Sequence, residues 1–180
     1  MKYQAIVLGG GKGRRADLGY NKILYKMKDG RTVLEKSCDI FLNDDDCQKL
    51  IVVLNEELPF NNEKVIKTKG GINRYDSVLN GLKLVDSEYV LIHDGARPFV
   101  TKKSINDLVD CLKDYNAGLL MVPCKDTIKE VKEGIVIKTL KREMLMQAQT
   151  PQVFRTSLIQ EAYQKAKDEN YQATDDSQLF

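Results

Sequence analysis

Residues 3–15 read Tyr3-Gln4-Ala5-Ile6-Val7-Leu8-Gly9-Gly10-Gly11-Lys12-Gly13-Arg14-Arg15. Ala5-Ile6-Val7-Leu8 is a short unbroken apolar run, as expected of a strand buried on both faces in a parallel sheet covered by helices. The chain repeats the pattern at Leu50-Ile51-Val52-Val53-Leu54, at Val90-Leu91-Ile92 and at Gly118-Leu119-Leu120-Met121-Val122. Amphipathic stretches lie between these runs. Val33, Ser37, Ile40 and Phe41 share one helical face, and Tyr75, Val78, Leu79 and Leu82 share another. Ile105, Leu108, Val109 and Leu112 repeat the spacing after Ser104, read as a cap, and Leu158, Ile159, Ala162, Tyr163 and Ala166 line a later helix. Strand alternating with helix predicts an α/β fold with a mainly parallel sheet flanked by helices and right-handed crossovers.

One segment breaks the alternation. From Thr127 to Leu140, β-branched residues flank Lys132-Glu133-Gly134, the pattern of a β-hairpin with Gly134 in its turn. It has little apolar material for a core of its own, and is either an edge hairpin or an arm that packs on another subunit. The expected organisation is a single domain over residues 1–180 with a projecting arm at about 125–148.

The bulk properties exclude several classes. The 180 residues carry 28 basic and 26 acidic side chains, a net charge of +2, too balanced for a nucleic-acid coat or a membrane-surface protein. No apolar run reaches the ~18–20 residues that span a bilayer, and the N-terminus reads as a first strand rather than a signal peptide. Cys38, Cys47, Cys111 and Cys124 form no C-x-x-C pair and have one histidine, His93, for company. A structural zinc site is not expected, and scattered thiols fit a reducing cytoplasm.

In open α/β sheets ligands bind beyond the carboxyl ends of the strands, so the residues just after each apolar run carry the function. After Leu8, Gly9, Gly10, Gly11 and Gly13 allow backbone N–H groups to converge on an anion. The string lacks the G-x-x-x-x-G-K-[ST] of a P-loop. Gly11-x-Gly13-x-x-Ala16 fits a dinucleotide fingerprint in part, but the acidic residue that reading requires would come too late, near Leu54-Asn55-Glu56. The cations favour a third reading. Lys12, Arg14 and Arg15 lie inside the loop and Lys22 follows. Clustered positive charge suits a site that breaks a triphosphate and stabilises the departing pyrophosphate. The bland alternative is a flexible basic surface loop.

The run Val90-Leu91-Ile92 leads into His93-Asp94-Gly95-Ala96-Arg97-Pro98. Asp94 falls at the binding edge, and a carboxylate beside a phosphate loop is a natural Mg²⁺ ligand. Its competing reading is a helix cap. Gly95 would admit a sugar or phosphate, and Arg97 would hold an anion or pair with an acid. His93 reads as a packing residue and receives no role. Gly70 and Gly71 precede Arg74 and Ser77, which open a helix whose N-terminus would bind anions or polar base edges.

Five motifs then follow in order: Gly11-x-Gly13-x-Arg15 with Lys22; Gly70-Gly71-x-x-Arg74-x-x-Ser77-Val78-x-x-Gly81-Leu82; His93-Asp94-Gly95-Ala96-Arg97-Pro98; Val122-Pro123-x-Lys125-Asp126-Thr127; and Gln149-Thr150-Pro151-Gln152. Over essentially the whole chain this resembles the 2-C-methyl-D-erythritol 4-phosphate cytidylyltransferase family of non-mevalonate isoprenoid synthesis. Asp126-Thr127-Ile128-Lys129 and His93-Asp94-Gly95-Ala96-Arg97 look more like that family than like its close relative, ribitol-5-phosphate cytidylyltransferase of teichoic-acid synthesis. The resemblance implies a Rossmann-like nucleotidyltransferase fold, a homodimer formed through a β-arm, a cytoplasmic location, and transfer of CMP from CTP to a sugar-alcohol phosphate with Mg²⁺. By motif, it implies that Arg15 and Lys22 are the catalytic cations. It implies that Gly10, Gly11, Lys12 and Gly13 cradle the CTP phosphates, and that Gly70, Arg74 and Ser77 surround cytosine and ribose. Asp94 would bind the metal or a substrate hydroxyl, with Gly95 beside the substrate. Thr127 and Arg142 would meet the acceptor's phosphate from the arm, across the dimer, and Thr150 would touch the acceptor chain.

Two departures qualify that expectation. Asn21 stands where the family usually has proline before the catalytic lysine. The family also continues past the position of Phe180 with a lysine and an acidic residue near the site, so a protein ending there is expected to fold but to be poorly active. The chemistry needs no protein nucleophile. The acceptor phosphate is ionised near neutral pH, and the obstacle is repulsion between two polyanions. This agrees with the lack of any Ser-His-Asp or Cys-His set. The rival readings are an NAD-dependent oxidoreductase using Gly11-x-Gly13-x-x-Ala16, and a nucleotide-sensing scaffold on a decayed transferase fold.

Overall fold

A computed structural model of the chain describes residues 1–10, 20–171 and 173–180. Strands β1 (Tyr3–Leu8), β2 (Cys47–Val53), β3 (Val65–Thr68), β4 (Tyr89–Asp94), β5 (Ala117–Pro123) and β8 (Met146–Arg155) form one six-stranded sheet in the order β3-β2-β1-β4-β8-β5. The β3-β2, β2-β1 and β1-β4 pairs are parallel, while β8 runs antiparallel to both β4 and β5. Helices α1 (Val33–Leu42), α2 (Arg74–Leu82), α3 (Lys102–Cys111) and α4 (Thr156–Asp168) cover it.

The unbroken apolar runs follow from this layering. Along β1, Ala5 and Val7 pack into one cluster with Leu34 and Phe41 of α1 and Ile105 and Leu108 of α3. Ile6, between them, packs on the other face with Val78 and Leu82 of α2 and Ile159 and Tyr163 of α4. Successive strand side chains point to opposite faces, so a sheet with helices on both sides favours apolar residues at successive positions. Full burial of each Ile, Val or Leu contributes roughly 1.5–3 kcal/mol relative to exposure.

The helix starts are fixed by local chemistry. Thr32 accepts from Glu35 N while Glu35 accepts from Thr32 N, a reciprocal capping box at α1. Asn73 caps α2 by accepting from Asp76 N. At α3 the cap is Thr101, which accepts from Ser104 N at 3.1 Å. The sequence expectation of a Ser104 cap is therefore corrected by one turn: Ser104 supplies the N–H that Thr101 captures.

The hairpin is present as β6 (Lys129–Lys132) and β7 (Ile135–Thr139). Its loop is two residues, Glu133 at φ 51° and Gly134 at φ 80°. Positive φ at both loop positions matches the right-handed twist of the flanking strands. Both strands are exposed throughout. The hairpin leaves the sheet between β5 and β8, whose last rungs pair Val122 with Gln147 and Pro123 with Met146. Two sheet strands, β3 and β8, have no counterpart among the apolar runs. β3 is a short, half-buried edge strand. β8 carries buried polar residues, Thr150 and Gln152, which break an apolar reading.

Candidate active site

The carboxyl ends of β1, β2, β3 and β4 converge. Leu8 and Asp94 are register partners across β1 and β4, and Gly95 N donates to Leu8 O at 2.9 Å. On the other side of β1, the glycine loop begins against the loop after β3. A Cβ on Gly10 would lie 3.3 Å from Gly70 Cα and 3.7 Å from Ser77 Oγ. The backbones close to this degree only because neither position has a side chain. Gly70 N donates to Asn55 Oδ1 at 3.0 Å, and Gly71 N donates to Ser77 Oγ at 3.0 Å. Ser77 Oγ in turn donates to Asn73 O at 2.9 Å. The result is a close contact between residues 9–10 and 70–71 beside the N-terminus of α2, where the first-turn N–H groups and the helix dipole favour anionic and polar groups.

Asp94 ends β4 with its side chain one-third exposed. It is not a helix cap. Arg97 Nε donates to Asp94 Oδ2 at 3.0 Å, and Arg74 Nε lies 3.7 Å from Asp94 Oδ1. Arg97 also reaches Gln149 Oε1. Behind Asp94, its backbone N–H donates to Thr150 Oγ1 at 3.0 Å. Thr150 also contacts His93 Nδ1 at 3.1 Å. The Thr150 hydroxyl thus supports the Asp94 turn from within and is nearly buried. Burial holds the His93 imidazole well below its ordinary pKa, at about 4.

Arg74 is more constrained than the sequence suggested. Its guanidinium grips the fully buried Asp176 with Nη1–Oδ1 and Nη2–Oδ2 at 2.8 and 2.7 Å. Burial works against the Arg74 charge, but the hydrogen bonds and charge of Asp176 outweigh it, and its pKa lies above the usual guanidinium value. Tyr163 donates its hydroxyl to the same carboxylate and stacks on Tyr75 at 4.7 Å between ring centroids. Gln152 joins this lock, donating to Asp175 Oδ2 and accepting from Ser177 N. Asp176 carries no local signal in sequence, and Gln152 stands out only as the last residue of the fifth motif. Their partners lie 102 and 25 residues away, for Arg74 and Ser177 respectively.

Lys22 begins a 3-10 turn, Lys22–Leu24, and is exposed. Asn21, in the place of proline, accepts from Ile23 N and donates to Gly9 O at 2.8 Å, which ties the lysine's turn to the start of the glycine loop. Thr127 and Arg142 stand at the base of the arm, where Arg142 Nη1 donates to Lys125 O at 3.1 Å. Within one chain neither hydrogen-bonds to the Asp94 group. Gly11, Lys12, Gly13 and Arg15 lie outside the described residues. Among the described residues no three His, Cys, Asp or Glu side chains gather at metal-binding distance. Asp94 is therefore a lone carboxylate at an open edge, a donor set that fits Mg²⁺ held jointly with substrate phosphates and water and suits a transition metal poorly.

A family model described as 2-C-methyl-D-erythritol 4-phosphate cytidylyltransferase (IspD) matches residues 3–180. The chain belongs to this cytidylyltransferase family. The enzyme of that name from Halalkalibacterium halodurans is 40% identical over 192 residues, covering 100% of this chain and 83% of the relative. The one from Geobacillus kaustophilus is 40% identical, covering 99% and 83%. Among solved structures, the Francisella tularensis cytidylyltransferase superposes with a TM-score of 0.86 at 31% identity, covering 99% of this chain and 85% of that one. Family membership removes the oxidoreductase reading. All three of these relatives bear the methylerythritol name, so the ribitol alternative is not favoured. Among the described residues, no helix is long and apolar enough to cross a membrane.

Proposed function

We propose that this protein transfers CMP from CTP to 2-C-methyl-D-erythritol 4-phosphate, releasing pyrophosphate. A phosphate oxygen of the acceptor attacks the α-phosphorus of CTP, the bond from that phosphorus to the oxygen bridging to the β-phosphate breaks, and pyrophosphate leaves with the electron pair. No protein group need take a proton, because the attacking oxygen is already ionised. The protein's work is to align two polyanions and offset their repulsion.

The observation that carries the reading is the meeting of the Gly10–Gly70 contact, the α2 N-terminus and Asp94 at one sheet edge. Nucleotide polar groups would lie against this contact and the N-terminus of α2, where the glycines leave the backbone open to approach. Lys22, and Arg15 by its motif, would neutralise the triphosphate. Asp94, held between two guanidiniums, would carry Mg²⁺, which supplies charge neutralisation at the phosphates when bound. Arg97 and Arg74 keep that carboxylate turned toward the edge.

The arm supplies the support for a homodimer. Ile135, Val136 and Ile137 are each more than half exposed, as are Val131 and Met144. Apolar side chains so concentrated on a projecting hairpin are typical of a covered interface. In the dimer, Thr127 and Arg142 would reach the acceptor phosphate bound to the partner. All four cysteines are free thiols, in keeping with a cytoplasmic enzyme.

The test is pyrophosphate release from CTP with Mg²⁺, offering 2-C-methyl-D-erythritol 4-phosphate and ribitol 5-phosphate in parallel. Release with the first and not the second is expected. The reverse preference would move the enzyme to the ribitol branch, and release with neither would overturn the transferase reading.

A further inference from the structure

His93 lies between β1 and β8 at the penultimate position of β4 and is fully buried. It faces no solvent and cannot touch a substrate, yet it is polar on both sides. Its Nε2 is 3.1 Å from Arg97 O, and its Nδ1 is 3.1 Å from Thr150 Oγ1. A carbonyl oxygen only accepts, so Nε2 must carry the hydrogen. Nδ1 then presents a lone pair, and the Thr150 hydroxyl donates to it. The same Thr150 oxygen accepts from Asp94 N at 3.0 Å. With this one tautomer each donor along the chain meets an acceptor: Asp94 N–H to Thr150 Oγ1, Thr150 O–H to His93 Nδ1, His93 Nε2–H to Arg97 O.

The two ends of this chain are the two ends of one turn. Arg97 N donates to Asp94 O at 3.0 Å, closing the turn, and outside it Arg97 Nε meets Asp94 Oδ2. The imidazole therefore ties the turn from within while the Asp94–Arg97 ion pair ties it from without. Phe41 of α1 meets the ring edge at 5.5 Å between centroids and fixes its plane.

We propose that His93 is a positioning residue for the CMP transfer, acting as a neutral Nε2–H imidazole that sets the placement of Asp94 and Arg97 through Thr150 Oγ1 and the Arg97 carbonyl. This rests on the transferase reading for its kinetic consequence, but not for its hydrogen-bond chemistry. It assigns no proton transfer to the histidine.

His93 is the only histidine in the chain, so a long-range ¹H–¹⁵N correlation spectrum of the full-length labelled protein at pH 7 reports this ring alone. The Nε2–H neutral tautomer is expected. An Nδ1–H tautomer, or an imidazolium, would overturn the proposal. The second arm compares His93→Leu with His93→Asn, whose side-chain oxygen falls where Nδ1 sits and can still accept from Thr150. His93→Leu should lower kcat about tenfold or more, the scale of losing buried hydrogen bonds that hold a reacting group in place. His93→Asn should recover most of that loss, with both unfolding midpoints well above the assay temperature. Equal losses in the two variants, or near-normal turnover in His93→Leu, would refute the role. If His93→Leu fails to fold, the tautomer spectrum decides the hydrogen-bond chain by itself, and an Nδ1–H tautomer or an imidazolium there would refute the role. A wild-type protein that releases no pyrophosphate would strike the transferase reading alone, while the tautomer would still decide the hydrogen-bond chain.

Discussion

Arg74, the first residue of α2, closes bidentately on Asp176, a carboxylate with no exposed surface from the last turn of the chain. The pair joins two segments 102 residues apart and leaves only the Nε edge of Arg74 facing Asp94. A guanidinium committed in this way orients its neighbour rather than following a ligand.

Removing one partner of such a pair strands the other. Arg74→Met should lower stability by about 3 kcal/mol, the scale for an uncompensated buried charge. The double variant Arg74→Met with Asp176→Leu should cost less than the sum of the two single changes. Urea unfolding of the three variants measures this, and additive losses would show that the residues are not coupled.

Gly71 is required by packing. A Cβ there would sit 2.1 Å from Asp76 Cβ and 2.9 Å from the Asp76 carbonyl carbon. Gly71→Ala should force the first turn of α2 away, costing about 1–3 kcal/mol, and should break the Gly71 N–Ser77 Oγ hydrogen bond. CTP affinity by calorimetry should fall while the fold persists. An unchanged affinity would place the nucleotide elsewhere.

Lys22 is exposed on a turn that Asn21 anchors to Gly9 O. Lys22→Ala should reduce kcat by about two orders of magnitude, as for loss of one preorganised group that stabilises developing charge. Steady-state pyrophosphate release measures it, and near-normal turnover would remove Lys22 from the catalytic cations.

The arm predicts a coupling between assembly and acceptor binding. Ile135 and Ile137 are 72% and 55% exposed on one face of β7. Changing both to Asp should yield a monomer in sedimentation equilibrium with the sheet domain still folded. It should also raise the acceptor KM, as should Arg142→Ala alone, with CTP kinetics little altered. A folded monomer with normal acceptor KM would separate the arm from the site.

His93 also gives stability a pH dependence. Burial holds its pKa at about 4, against 6.5 for a free imidazole. Below pH 6.5 the unfolded chain takes up a proton that the folded chain refuses, so stability is full above pH 6.5 and is lost progressively as the pH falls toward 4. The loss from this group is about 2 kcal/mol between pH 6.5 and 5. Urea unfolding over that interval should show the slope in the wild type and not in His93→Asn.

The sequence by itself determined the layering. Four apolar runs and four amphipathic faces specify buried strands alternating with helices, because a strand covered on both sides favours apolar residues on each and accepts a polar one only where it finds a hydrogen-bond partner. It also placed Gly10 and Asp94 at the carboxyl edge of the sheet, since they stand close behind the apolar runs ending at Leu8 and Ile92. The hairpin was legible for the same local reason: a two-residue loop demands Gly134 or its equivalent. Motif order, rather than any single motif, carried the family.

Tertiary structure alone decided how the edge is held. β8 enters the sheet antiparallel, and its buried polar residues Thr150 and Gln152 hide it from a hydropathy reading while fastening Asp94 and the segment around Asp175 and Ser177. Arg74 shows its bond to Asp176 only when that residue comes from 102 positions away to meet it, and His93 shows its two partners, Arg97 O and Thr150 Oγ1, only in the folded chain. A hydrogen bond depends on the positions of two atoms, and where those atoms are far apart in sequence, only the folded chain brings them together.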